Sequence, residues 1–520
     1  MKNTKIYFFI VCMMFLHSCN DELDLVPLDR VTASTFYNTR GDFDSAIFAS
    51  YSSIQDFWGT STETLSEDGE YWKITVIISD DAEQNGSTSP DSRTIDADNL
   101  QIRASDLAYQ AIFTQLYEGI ARANIVLGNL DGDNELSAED KTVLDAEAKF
   151  LRAWFHFQAL KLFGTPPLVT EVLSDINNLV QPNATQDALY TAILADLAAA
   201  ASGLPESWDS NNTGRATSWT ARSYIGKVNV FKEDWPTAIT ALAEVVNSGP
   251  YSLVTSDDPE VSDYEAVFSF ENENNSESIF EIQFGGPRSD DNIWVFDDTH
   301  SENFKASQGI ARGYYWDAPG DVGAPGGNRG WFVPTEDLVN AFEAGDTRLA
   351  ATVFADGEDY ITFNRAGAVD EPYDPAWSSS GFTGKKLRGP SNADSSNHSP
   401  NGIADFNNER WFRFAELKLL YAEALIRGSG DAAIAEQQIN DIRNRAGLAD
   451  LAGGSDLLAA MMQEKRVEMA LEPHRWFDIV RWDLGPSIFG DSWDPKFEVF
   501  PFPQSEVDRA GGALNQNLGY

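Results

Sequence analysis

The chain has 520 residues and a formal charge of −44, from 81 acidic against 37 basic side chains. That charge repels phosphate backbones and excludes general nucleic-acid binding, while 42% hydrophobic and 12% aromatic residues exclude an acidic disordered chain. Two cysteines exclude both a disulfide framework and a cysteine-based zinc site.

At the N-terminus, Lys2 and Lys5 precede an apolar run from Ile6 to Leu16. The run is shorter than the roughly 20 residues that a bilayer span needs, and it has the shape of a signal-peptide core. Leu16-His17-Ser18-Cys19 resembles a bacterial lipobox. The resemblance implies a signal peptide over 1–18, acylation of Cys19 and a soluble body tethered by lipid. Each buried acyl CH₂ contributes about 0.8 kcal/mol, so more than one chain anchors stably. Cleavage would remove Cys12 and leave the lipidated sulfhydryl as the only one, so thiol nucleophiles and disulfides drop out together.

The body reads as all-α dominated. Asp106 to Leu130 is one long amphipathic helix, and Asp131-Gly132-Asp133-Asn134 breaks it. Asp131, Asp133 and Glu135 start like a calcium loop, but Leu136 and Thr142 stand where Gly and Glu are needed; a solvated connector fits better. Ser137 caps a helix through Phe163, which Gly164-Thr165-Pro166-Pro167 stops. Gln186 to Ala201 is a further helix. Thr217 to Phe231 and Pro236 to Asn247 form a pair with tetratricopeptide spacing, in which Ile225-Gly226, Ala238, Leu242 and Pro250 take consensus places. A second pair runs over Trp411–Arg427 and Ala432–Arg445, with Asp431 as N-cap, and Leu457–Leu471 is another helix. This makes about four helix pairs at irregular spacing, in one compact unit of two regions, 19–250 and 251–520. Long insertions at Thr60–Asn99 and Ser252–Asn408 separate the pairs, the larger one holding a few strands such as Ser278–Phe284.

Nucleophile elbows, phosphate loops and paired metal ligands are absent from the sequence, so neither a catalytic residue nor a metal or cofactor is assigned. His156 lies on an aromatic helix face and reads as a packed core residue. Binding chemistry is better supported. Trp58 and Trp72 lie in the first polar stretch; Trp294, Phe296, Tyr314, Tyr315, Trp316, Trp331 and Trp377 lie in the large insertion. Aromatic rings on loops either bind something or cover a core. Trp and Tyr stack on the C–H face of a sugar while Asp, Asn and Arg take its hydroxyls. Asp81, Arg388 and the acidic and amide neighbours of Trp294, Trp316 and Trp331 supply such groups. The expected ligand site therefore comprises Trp294, Trp316, Tyr315, Trp331, Trp72, Asp81 and Arg388. Arg413, Glu416, Glu423, Arg443, Arg445, Glu464, Arg466, Arg475, Asp478 and Arg481 lie on or beside apolar helices and read as ion pairs that fix helix register.

Several blocks resemble the SusD/RagB family of outer-membrane nutrient-binding lipoproteins. They are Cys19-Asn20-Asp21-Glu22 at the start of the mature chain, Leu151-Arg152-Ala153, and Phe342 with Gly345-Asp346 and Arg348. Tyr421-Ala422-Glu423-Ala424, Asn440 to Gly447, Glu464-Lys465-Arg466 with His474 to Trp482, and the ending Gln516 to Tyr520 complete them. The resemblance implies a tetratricopeptide-like scaffold whose loops carry the ligand, and a binding protein instead of an enzyme. It implies localisation on the outer membrane at the cell surface through the lipid anchor. It also implies a SusC-like TonB-dependent transporter as partner, over which the protein acts as a lid. Oligo- or polysaccharide is the implied ligand, and the acidity favours a neutral glucan. Peptide import on the same fold is the alternative, and a surface glycoside hydrolase a remote one. Family sites often pair an acidic residue with a Trp in the first loop region. Asp80 or Asp81 could serve as the acid, but no aromatic lies between Ser79 and Ala104.

Overall fold

A computed structural model describes residues 36–55, 57, 70–88, 92–174, 179–284, 315–324, 329–364, 367–386 and 407–520. Its principal elements in chain order are α1 (Arg40–Gln55), β1 (Ala82–Gln84), α2 (Leu107–Asn129), α3 (Ala138–Phe163), α4 (Gln186–Gly203), α5 (Ser218–Phe231) and α6 (Trp235–Ser248). There follow β2 (Ser278–Ile282), β3 (Phe332–Pro334), β4 (Glu409–Arg413), α7 (Phe414–Arg427), α8 (Ala432–Arg445), α9 (Leu457–Glu468) and α10 (Arg475–Arg481). Helices pack as α1 on α2, α3 on α4, α5 on α6 and α7 on α8. The number agrees with the expected four or so, although α1 was not among the expected helices, and a continuous core runs through the pairs from Phe43 to Leu514. Among the described residues no helix is long and apolar enough to cross a membrane.

Local chemistry explains the helix ends. The Ser137 hydroxyl accepts from the Asp140 N–H at 3.0 Å while the Asp140 carboxylate accepts from the Ser137 N–H at 3.3 Å, a reciprocal cap that starts α3. Gly164 ends it at φ 71°. Thr217, Asp234 and Asp431 cap α5, α6 and α8. One expected helix is corrected: Trp411, Phe412 and Arg413 are strand, and α7 starts at Phe414. There β4 pairs antiparallel with β2, Ser278 opposite Arg413, so a partner some 130 residues away overrides the local helical pattern.

Gly226 occupies the small-residue place of its repeat for a steric reason. A β-carbon there would meet Leu242 Cδ2 at 2.4 Å. Gly226→Val is expected to cost about 1–3 kcal/mol by overpacking the α5–α6 contact. A urea titration followed by tryptophan fluorescence checks it; an unchanged midpoint would show that the pair can spread freely.

His156 is a core residue, as its helix face suggested. It is buried, its Nε2 accepts the Val169 N–H at 3.2 Å, and Nδ1 lies 2.9 Å from the Arg152 carbonyl. Only the Nδ1–H tautomer satisfies both. Burial lowers its pKa to about 4, which keeps the ring neutral.

The expected ion pairs form, and residues outside the expected set join them. Glu423 meets Arg481 at 2.6 Å, Asp478 meets Lys465 at 2.8 Å, and Glu416 meets Lys227 of α5 at 2.8 Å. Deeper still, Arg413 reaches Glu277, Glu468 and Glu472, while Arg348 reaches Asp346, Glu464 and Glu468.

Candidate functional site

The first loop region is tied to the C-terminal helices by charge. The Arg475 guanidinium grips the Asp80 carboxylate through two bonds of 2.7 Å, and Arg466 Nε reaches Asp81 Oδ1 at 2.8 Å. Burial pushes both carboxyls up, and the two guanidiniums oppose it. The guanidiniums prevail at Asp80, which lies below 3.8; burial prevails at Asp81, which lies above it. Asp81 is buried, and Arg466 anchors it through Oδ1. It does not offer the carboxylate to a ligand, contrary to expectation.

Downstream of that anchor, β1 pairs antiparallel with β3, Glu83 opposite Val333. The next residue, Asn85, is buried and fully used. Its backbone N–H donates to the Trp331 carbonyl at 2.8 Å. Its side-chain amide donates to the Gly330 carbonyl at 2.9 Å and the Trp377 carbonyl at 3.2 Å. Its Oδ1 accepts the N–H groups of Ser87 and Ser379, each at 3.0 Å. One side chain thus joins three segments, 85–88, 329–331 and 377–379, into a single surface. Around it, Ser379 donates to Glu83 at 3.1 Å and the Thr88 hydroxyl donates to the Arg329 carbonyl at 3.1 Å.

Trp331 is the aromatic of this surface. It is half-buried, leans on Tyr315 at a centroid separation of 6.0 Å, and has Lys73 Nζ and Arg329 Cζ near 6 Å from its ring, at 5.9 and 6.0 Å. Cations at that distance attract the face of the ring and help hold it.

The other described ring candidates take a different part. Trp72 and Tyr315 are 0% exposed and Trp316 1%. Trp72 stands edge-on to Trp316 at 6.5 Å, and Tyr315 stacks on Phe332 at 5.3 Å. Their faces are spent on one another, so they build the floor beneath Trp331 and present no face to a sugar. Trp377 is likewise packed against Tyr360 and Tyr373. Trp58, Trp294, Arg388 and Cys19 lie outside the described residues. Asn85 was not anticipated from the sequence, where it is one amide in a polar stretch; no periodic or motif signal sets it apart.

Comparison with known proteins bears on the family and the fold. Residues 276–498 match the SusD family, and residues 42–230 match a family described as "Starch-binding associating with outer membrane". The chain is 25% identical to SusD-like protein P25 of Formosa agariphila, over 96% of this chain and 94% of that one. It is also 25% identical to SusD-like protein P2 of the same organism, over 100% of both. A solved laminarin binding SusD-like protein superposes with a TM-score of 0.75 at 23% identity, covering 93% of this chain and 100% of that one. Surface glycan-binding protein A from Bacteroides thetaiotaomicron, solved with laminarihexaose, gives 0.72 at 22% identity, covering 92% and 99%. With the two family matches covering most of the sequence and the paired-helix fold shared almost end to end, the chain belongs to the SusD family.

Proposed function

We propose that this protein captures neutral glycan through the surface around Trp331, as a lipid-anchored lipoprotein of the outer membrane that hands its ligand to a SusC-like TonB-dependent transporter. The observation that carries the reading is the Asn85 junction, which presents one partly exposed indole on a rigid, hydroxyl- and amide-rich rim. A pyranose places its C–H face on such a ring and its hydroxyls on the rim. Binding without chemistry suits the site, because its buried carboxylates are held by arginines. The laminarin-related names of two fold neighbours support a neutral glucan, as does a chain charge of −44 that would repel sulfated or uronate polymers.

Trp331→Ala is expected to weaken laminarin binding roughly tenfold, about 1.4 kcal/mol, with an unchanged urea midpoint. Isothermal titration with laminarin and with starch oligosaccharides measures it. Wild-type affinity in the variant would remove Trp331 from the site, and binding of peptides but no glycan would favour the peptide reading. For the anchor, radiolabelled palmitate is expected to enter the wild-type chain in cells and not Cys19→Ser; equal labelling of both would refute the lipobox.

A further inference from the structure

We infer a second sugar-contacting surface at the junction of α1, the 206–217 connection and β2, lined by none of the segments that build the Trp331 surface. Two hollows of about 280 and 220 Å³ meet there across Thr213, Gly214 and Arg215. Each falls below the roughly 300–1,000 Å³ of drug-sized pockets, a size suited to a single ring.

The centre of the junction is a stacked triad. The Arg215 guanidinium lies 4.3 Å from the Trp208 ring and 5.2 Å from the Phe48 ring. Phe48 is 46% exposed, although its neighbours Phe43 and Ile47 are fully buried in the core. Two of its three members, Arg215 and Trp208, are held by hydrogen bonds. Arg215 Nε and NH2 both bind the Glu147 carboxylate, NH2 also meets Asp44 at 2.9 Å, and NH1 donates to Asn212 at 2.8 Å. Trp208 Nε1 donates to the Ala216 carbonyl at 2.8 Å. A ring held in place as Trp208 is loses little entropy when a ligand stacks on it.

The walls are equally fixed. Gly214 sits at φ 87°, and a β-carbon there would lie 2.3 Å from Gln283 Cγ, so only glycine lets the connection approach β2 this closely. Asn274 and Gln283 exchange two amide hydrogen bonds of 2.9 Å, and Gln55 donates to the Gln283 carbonyl at 2.6 Å. Among the described residues the Ser52 hydroxyl and Gln55 Oε1 keep unused capacity on the rim.

These features select the ligand class. Among the described residues Arg215 is the only cation lining either hollow; it is already matched by Glu147 and Asp44, and Glu206 adds negative charge, so anions are disfavoured. A wholly apolar guest would bury the rim hydroxyl and amide without partners. A neutral pyranose meets both demands. The ligand class rests on the glycan-binding reading above; the location does not.

The test uses the full chain labelled with 5-fluorotryptophan and followed by ¹⁹F NMR. The Trp208 line is assigned by its loss in Trp208→Phe and the Trp331 line by its loss in Trp331→Phe. Laminarin and maltoheptaose are titrated into wild type and Trp331→Ala. The expected result is a saturable shift of the Trp208 line in both proteins, with midpoints agreeing within about twofold, while the Trp331 contact in wild type titrates independently. Movement of Trp331 without Trp208 overturns this inference and leaves the proposed function standing. Movement of Trp208 without Trp331 supports the inference and moves the main site here. If neither line moves with either glucan, both readings fall.

Discussion

Glu468→Ala is expected to lose roughly 3–5 kcal/mol of stability, the cost of leaving buried guanidiniums without their counter-charge. Glu468 is wholly buried at the end of α9, and its carboxylate is shared by three arginines: Arg413 at 3.0 Å, Arg445 at 2.5 Å and Arg348 at 3.2 Å. Burial alone would raise its pKa; Arg445, Arg413 and Arg348 outweigh it and hold the carboxyl well below the ordinary 4.5. A depressed folded pKa contributes stability that is fully present above 4.5 and drains away as the pH falls below it. Urea unfolding of wild type and variant at pH 7 and at pH 3.5 measures both effects. The gap between the two proteins should be widest at pH 7 and narrow in acid. Glu468→Gln, which keeps the shape and one acceptor, should fall between them. An alanine variant within 1 kcal/mol of wild type at pH 7 would mean that water or rearranged glutamates supply the lost charge.

That cluster also shows what a sequence discloses. Arg413, Arg445 and Glu464 could be recognised as ion-pair formers, because charge beside an apolar helix face demands a partner. Glu277, Asp346 and Lys386 could not, since they come from irregular segments whose approach depends on the tertiary fold. The helix ends of α3, α5 and α8 were legible for a local reason: Ser137, Thr217 and Asp431 cap through their own side chains within three residues. The 409–413 strand was not, because its partner β2 lies far upstream.

The proposed ligand surface was legible only in part, for the same reason. Trp72, Tyr315 and Trp316 stand in segments without periodicity, where nothing in the sequence says which way a ring points. They turn inward because Phe332 and one another offer a larger apolar contact than solvent does. Trp331 lies one residue before Phe332 and so faces the other side of β3's approach, where it remains half-buried.

Asn85→Ala is expected to reduce glycan affinity at least as much as Trp331→Ala, roughly tenfold or more, although Asn85 itself is 1% exposed. Truncation leaves the carbonyls of Gly330 and Trp377 and the N–H groups of Ser87 and Ser379 without their partner. Each orphaned buried group costs about 1–3 kcal/mol unless the segments part and admit water. Parting is the cheaper outcome, because the three segments lie at the rim and the helical core does not depend on them. The ring then loses its fixed position, so binding suffers more than global stability. Asn85→Asp sharpens the distinction: it retains both acceptor bonds but sets a carboxylate oxygen against two carbonyls. Titration calorimetry with laminarin should show both variants weakened, with urea midpoints near wild type and faster amide exchange over 85–88 and 329–331. If the affinity of Asn85→Asp matched wild type while exchange rose, the position of Trp331 would not govern binding, and the stacking surface would have to be sought on another face of the fold.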